Sequence, residues 1–251
     1  MSQIHQNRRF MQCPPFKEAM SKSDQSKGVP PPPFGRPAKG ELIALPPFEG
    51  AQTVPLYMDL LDRRRSKRKF AETPMTQAQL AFMLWSAQGI QAPRDKVATL
   101  RPAPSGGARH PFETYIVIRA VDGLAPGLYR YLPAENMGEK RCSIERFGEL
   151  PDAEKISAML MEQSWAAKAP IVLFYSCVPY KGEWRYAELS HRVMLIDLGH
   201  VGQNAMLSAA ALGLGSCCMA AYNQQLCDEA LGFDGLDEYT VYAVAVGTPQ
   251  E

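Results

Sequence analysis

Residues 193–216 read VMLIDLGHVGQNAMLSAAALGLGS. Across them Asp197 is the only carboxylate, and there is no Lys or Arg. The pattern predicts one long helix from about Arg185 to Leu212, ended by GLGS. A helix that is apolar on nearly every side must be covered on nearly every side. In a chain of this size that places it at the centre of the core or in a subunit interface. His200 and Asn204 lie four residues apart and share one face with Ile196 and Leu207. A buried His and Asn need hydrogen-bond partners, and capping a neighbouring loop is the plainest use for them.

The flanking segments alternate between two periodicities. C-terminal to the helix, CCMAAYN (217–223) predicts a short buried strand, QQLCDEALGF a small helix and YTVYAVAVG (239–247) a final strand. N-terminal to it, ETYIVIRA (113–120) predicts a strand, Asp122-Gly123 a turn, PGLYRYLP the returning strand and APIVLFYSC (169–177) another. A helix is expected at roughly 152–167. Further upstream, Thr76 and Gln79 form a capping box, Leu80, Met83, Leu84 and Ala87 an apolar stripe, and Gly89 a helix end. Pro55 opens a short helix in VPLYMDLLDRRR. Strands and helices mix without strict βαβ alternation, which points to an α+β fold, a mixed sheet flanked by helices. The compact domain is expected over 51–251. Residues 1–50, with GVPPPPFGRP at their centre, form an extended Pro-rich arm that wraps over the body or a partner chain, or stays unpacked.

The chain has 251 residues, 46% of them hydrophobic and 21% charged, and a formal net charge of +1. That composition supports a full core and argues against bulk nucleic-acid binding, which shows as a broad basic face. None of the six cysteines forms a CxxC pair and the four histidines are not at zinc spacing, so no metal site is expected. The first residues carry no apolar stretch, so no signal peptide and no membrane span is expected, and a reducing cytoplasm is the simplest setting. Alternation sends the sulfurs of Cys217 and Cys218 to opposite faces of their strand, as buried structural thiols.

One local exception to the charge balance is RRRSKRKF, residues 63–70, with six basic side chains in eight positions. A phosphate monoester offers three acceptor oxygens and close to two charges, and Arg presents a planar fork to two such oxygens. In an extended run Arg64, Ser66 and Arg68 point one way, and Arg65, Lys67 and Lys69 the other. Taken alone, such a run is more often a solvated basic loop. PSGGARHP (104–111) is a second candidate: its glycines let the backbone approach a flat ligand closely, and Arg109 adds a cation. An ordinary turn would read the same. GLGS ends a helix rather than starting one, so it lacks the dipole geometry for phosphate. No triad spacing, Walker loop or GxGxxG fingerprint is present.

In order, RRSKRKF, PSGGARHP, GLYRY, RYAELSHR, DLGHVGQNAMLSAAALGLGS and AVAVGTP resemble the nitroreductase superfamily over about residues 54–249. The branch they look most similar to is the SagB-type dehydrogenases, relatives of thiazole- and oxazole-forming peptide oxidases, and IALPP at 43–47 fits it too. The resemblance implies an α+β fold that binds FMN non-covalently in an intertwined homodimer. It assigns Arg64, Arg65, Ser66 and Arg68 to the FMN phosphate and ribityl clamp. Ser105, Gly106, Gly107 and Arg109 fall in a second loop past the flavin ring. Cys218, Met219, Ala220 and Ala221 fall in a segment along the flavin, with His200 and Asn204 structural or beside it. Peptide-cyclodehydrating relatives carry a Lys-Tyr pair where this chain has Arg185-Tyr186. Arg does not deprotonate as a desolvated Lys can, so Tyr186 is the better acid–base candidate. Ala108 stands where many relatives have Asn. Relatives often continue into basic residues past this chain's GTPQE, so the resemblance implies that the cluster at 63–69 alone supplies the phosphate site or that the site is weaker. The implied activity is a two-step hydride transfer acting on a small molecule or peptide. NAD(P)H is one candidate donor; the other is a substrate whose electrons pass on to oxygen. The rival is a flavin- or partner-binding protein without turnover.

Overall fold

A computed structural model describes residues 20–48, 56–94 and 98–250. The arm's residues 1–19 and the Pro55 helix start lie outside the described residues. Among the described residues, strands β1 (Leu42–Ala44), β2 (Ala92–Pro93), β3 (Thr99–Leu100), β4 (Phe112–Ile118), β5 (Gly127–Tyr131), β6 (Ser143–Gly148), β7 (Ile171–Cys177), β8 (Gly215–Met219) and β9 (Tyr239–Gly247) are interspersed with α-helices. These are α1 (Tyr57–Arg63), α2 (Gln77–Gln88), α3 (Ala153–Met159), α4 (Ser164–Ala167), α5 (Tyr180–Tyr186), α6 (Ser190–Ala211) and α7 (Gln224–Leu231).

Seven strands form one sheet in the order β1-β6-β5-β4-β7-β9-β8. Each of its ladders is antiparallel. The expected mixed sheet is therefore corrected. Parallel pairing among the described residues is confined to isolated bridges, Ser66–Ser216 and Met75–Val121. β4 and β7 are buried at every position, because the sheet has helices on both faces. Ile116 and Ile118 face a core shared with Leu80 and Leu84 of α2 and Leu198, Val201 and Ala205 of α6. Tyr115 and Val117, one residue out of phase, face a second core with Ile156, Met159, Cys227 and Leu231.

The capping box is present: Gln79 N–H donates to Thr76 Oγ1 at 3.2 Å, and Thr76 N–H to Gln79 Oε1 at 2.9 Å. Gly89 ends α2 in extended backbone (φ −58°, ψ 152°), not in a left-handed cap.

Two expected helices are broken. Met161 and Glu162 take positive φ and separate α3 from α4. Ala187, at φ 45°, ends α5 before α6 begins at Ser190. Nor is α6 covered all round among the described residues. Met194, Leu198, Val201 and Ala205 pack on the sheet, while Leu195 and Ile196 on the opposite side are 56% and 50% exposed.

The described part of the arm wraps over its own body. Gln25 N–H donates to Trp184 O (2.8 Å) and Trp184 Nε1 to Val29 O (2.8 Å). Arg130 then holds Pro37 O at 3.1 Å. Residues 42–44, placed by sequence in the arm, form the edge strand of the main sheet against β6. The pattern did not predict β6 because its inward positions include a charge. Glu145, 3% exposed, is paired with Arg130 at 2.8 Å.

Candidate functional site

α6 is the spine on which the predicted site residues assemble, and it gathers them into two groups. At its C-terminal end the basic segment runs beside β8. Ser66 bridges Ser216, and Lys67 N–H donates to Ser216 O at 2.9 Å. A cavity of about 170 Å³ here is lined by Arg63, Arg64, Arg65, Lys67, Gly215 and Ser216, with Met206 and Ala210 of α6. No carboxylate lines it among the described residues. A Cβ on Gly215 would stand 2.8 Å from Lys67 Cβ, so glycine keeps the cradle open. Pro249 lines it from the C-terminal segment, which pairs with the basic run through Ala71 N–H to Thr248 O (2.8 Å). Arg65 turns back to its own carbonyl neighbourhood, donating to Arg64 O at 2.8 Å.

Strict alternation does not hold in this segment. Lys67 joins Arg64 at the cradle, while Arg68 departs to a separate cavity and sets its guanidinium 5.9 Å from the Trp165 ring centre. The run is not a regular strand, so period-two reasoning fails there.

Along β8 the two cysteines do separate. Cys218 Sγ approaches Gly202 O of α6, and the Arg64 charge acts on it, yet burial pushes its thiol up to about 11. It is therefore a neutral packing group near neutral pH. Met219 points into the opposite core, leaving only its backbone on the cradle side; Ala220 and Ala221 follow as exposed residues.

The second group sits nearer the N-terminal end of α6. Ser105 Oγ donates to Asp197 at 2.6 Å and Gly106 N–H donates to the same carboxylate at 3.1 Å. Burial raises the Asp197 carboxyl, and these two bonds partly offset that. Gly107 takes φ +60° and lies where a Cβ would stand 2.7 Å from Tyr186 Oη, so both strain and space require glycine. Arg109 sets its guanidinium 4.9 Å from the Trp184 ring centre, and Arg185 lies 5.5 Å from that of Tyr186. Sequence reasoning missed Asp197 as the anchor of this loop. Its signal was the lone carboxylate in an apolar helix.

From Asp197 to Met206 the helix rises about 14 Å at roughly 1.5 Å per residue. An elongated ligand, rather than a compact one, would reach both groups. His200 and Asn204 lie between them. His200 is exposed, not buried as expected, and Asn204 Nδ2 donates to Ser86 O of α2 at 2.9 Å, a structural tie.

The chain thus combines an antiparallel sheet covered by helices on both faces, a basic cradle at one edge strand and a glycine loop clamped to a long helix. This chain belongs to the nitroreductase family: the family profile matches residues 61–248. It is 31% identical over 189 residues to the Methanocaldococcus jannaschii protein named "Putative nitroreductase MJ1384", spanning 75% of this chain and 89% of that one. It is 30% identical over 149 residues to the trifolitoxin-processing protein TfxB of Rhizobium leguminosarum bv. trifolii, spanning 58% of this chain and 39% of TfxB. Among solved structures, a Ralstonia eutropha JMP134 chain with the same family description as the archaeal protein shares the fold. Its TM-score is 0.65 at 24% identity, over 88% of this chain and 97% of that one. So does a chain of the E. coli microcin synthetase McbBCD complex with truncated pro-MccB17 bound, with TM-score 0.60 and 19% identity over 86% and 77%. No helix among the described residues is long and apolar enough to cross a membrane.

Proposed function

We propose that this chain is an FMN-dependent oxidoreductase of the SagB type, acting as a cytoplasmic homodimer on a small-molecule or peptide substrate. The observation that carries the reading is the cradle at β8. Cations without a carboxylate, beside a strand edge kept open by Gly215, fit a phosphate monoester. Arg64, Arg65, Ser66 and Lys67 would hold the phosphate and ribityl end. The backbone of Cys218–Ala221 and the loop Ser105–Arg109 would border the ring. Bound FMN supplies hydride transfer. The protein's part is to bind it, exclude water and place Tyr186 Oη beside the loop as the proton-holding group. NAD(P)H is the proposed donor. The peptide-modifying role is supported by the likeness to TfxB and to the McbBCD chain. The homodimer is supported by the uncovered apolar side of α6 together with exposed Leu56, Tyr57 and Met58 at α1.

The test is the visible spectrum of the purified protein before and after FMN addition and desalting. A retained flavin spectrum that bleaches with NAD(P)H is expected. Losing one charge-assisted contact in Arg64→Ala should weaken FMN binding roughly 10- to 100-fold. A wild-type protein that stays colourless after FMN loading would overturn the reading.

A further inference from the structure

A larger cavity, about 430 Å³, is bordered by the second loop. Its size suits a small organic ligand. Its walls are cationic to an unusual degree. Arg94, Arg101, Arg109 and Arg185 all line it, with Trp184 and His110, and no described lining residue is a carboxylate. We propose that this cavity is the substrate pocket and that it selects molecules bearing a carboxylate, which Arg94 and Arg185 receive. As a substrate pocket it rests on the oxidoreductase reading; as a carboxylate site it does not.

Three features behind the walls support the selection. Arg101 is 9% exposed and fixed by bonds to Gln88 O (3.2 Å) and Thr99 Oγ1 (3.3 Å). The carboxylate in its vicinity is Glu113, and Glu113 is already ion-paired with Lys181. Two cations thus share one anion beneath the pocket, and the excess positive charge sits in a poorly solvated wall, where it attracts an anion more strongly than it would in water. Second, His110 is held neutral, its pKa depressed to about 3 by burial and then by the Arg101 charge, so the same field already acts on an interior group. Third, Arg185 spends one terminal nitrogen on Gln25 Oε1 (2.8 Å), which fixes its guanidinium at the cavity wall. A planar carboxylate matches the Arg fork and offers two acceptors. Gln25, from the arm, reaches the same wall, so the arm helps to shape the pocket.

The test is isothermal titration of FMN-loaded and flavin-free protein with 4-nitrobenzoate and with its neutral isostere 4-nitrobenzamide. The carboxylate should bind about ten-fold more tightly than the amide in both forms. Arg185→Gln should remove most of that preference and Arg185→Lys, which keeps the charge but not the fork, should keep only part of it. Arg94→Gln should lower it with the flavin spectrum intact. Equal affinities in the wild type, no binding of either compound at millimolar concentration, or a preference that survives the double variant Arg94→Gln/Arg185→Gln would overturn the proposal. So would inorganic phosphate displacing 4-nitrobenzoate at equal concentration, which would mark an unselective anion site. A protein that holds no FMN yet prefers the carboxylate would sink the flavin reading and leave the pocket standing.

Discussion

His110 shows how one buried side chain sets a pH response. Its Nε2 lies 3.0 Å from Thr99 O and donates to it in the neutral ring. Burial first, then the Arg101 charge, lowers its pKa from 6.5 to about 3. In that window the unfolded chain binds a proton that the folded chain refuses. The contribution is therefore complete above 6.5 and is lost as pH falls towards 3, at up to about 1.4 kcal/mol per pH unit. Urea midpoints measured against pH should show this slope, and His110→Asn should flatten it. Asn tolerates the left-handed backbone of this position (φ 44°). Asp197→Ala would leave Ser105 Oγ and Gly106 N–H without their acceptor. A loss of about 1–3 kcal/mol is expected in denaturant melts, with greater protease sensitivity of the 105–109 loop.

At the scale of elements, α6 serves two purposes with two sides. Its sheet side joins α2 through Asn204 to Ser86 O and packs Leu198, Val201 and Ala205 into the core. Its other side carries Leu195 and Ile196 into solvent. Such a side on a long central helix is what a second copy would cover. If the chain forms the proposed homodimer, Leu195→Glu/Ile196→Glu should shift it to monomer in size-exclusion chromatography with light scattering, while circular dichroism stays unchanged. A wild-type monomer at micromolar concentration would contradict the dimer. At the other end of the scale, the Thr76–Gln79 capping box should be worth about 1 kcal/mol, read from Thr76→Ala in thermal unfolding.

The whole molecule is held together across its layers by an ion cluster that no single segment announces. Glu113 of β4, Lys181 of α5 and Arg101 meet in the interior, and Arg101 and Lys181 both reach Phe34 O of the arm, at 3.4 and 3.5 Å. The Lys181 charge and hydrogen bond, with the Arg101 charge, hold the Glu113 carboxyl below its ordinary value against the opposing effect of burial. Lys181→Met would remove the hydrogen-bonded ion-pair partner of buried Glu113 and leave it only the Arg101 charge of this cluster, and a loss of about 3–5 kcal/mol is expected by chemical denaturation. A loss below about 1 kcal/mol would show that water or a rearranged partner reaches Glu113.

The sequence by itself determined the elements whose local chemistry is self-sufficient. The β9 boundaries, the Thr76 capping box, the Asp122-Gly123 turn and the existence of a long apolar helix all rest on short-range periodicity or on bonds within four residues. The basic run at 63–70 and the glycine segment at 104–111 were visible in the sequence, but local pattern alone favoured a solvated loop and an ordinary turn, and only the family resemblance marked them as site candidates. Tertiary structure alone decided the rest. It broke the long helix at Ala187, buried Glu145 in a strand that apolar patterning does not reveal, and set Arg68 on Trp165 instead of at the cradle. It joined the arm to the sheet through β1 and made Asp197 the anchor of the second loop. Each of these depends on a partner far along the chain. Burial of a charge, unlike burial of a leucine, is permitted only by the group that answers it, and the distance from Glu113 to Lys181, or from Ser105 to Asp197, is fixed by folding and not by spacing.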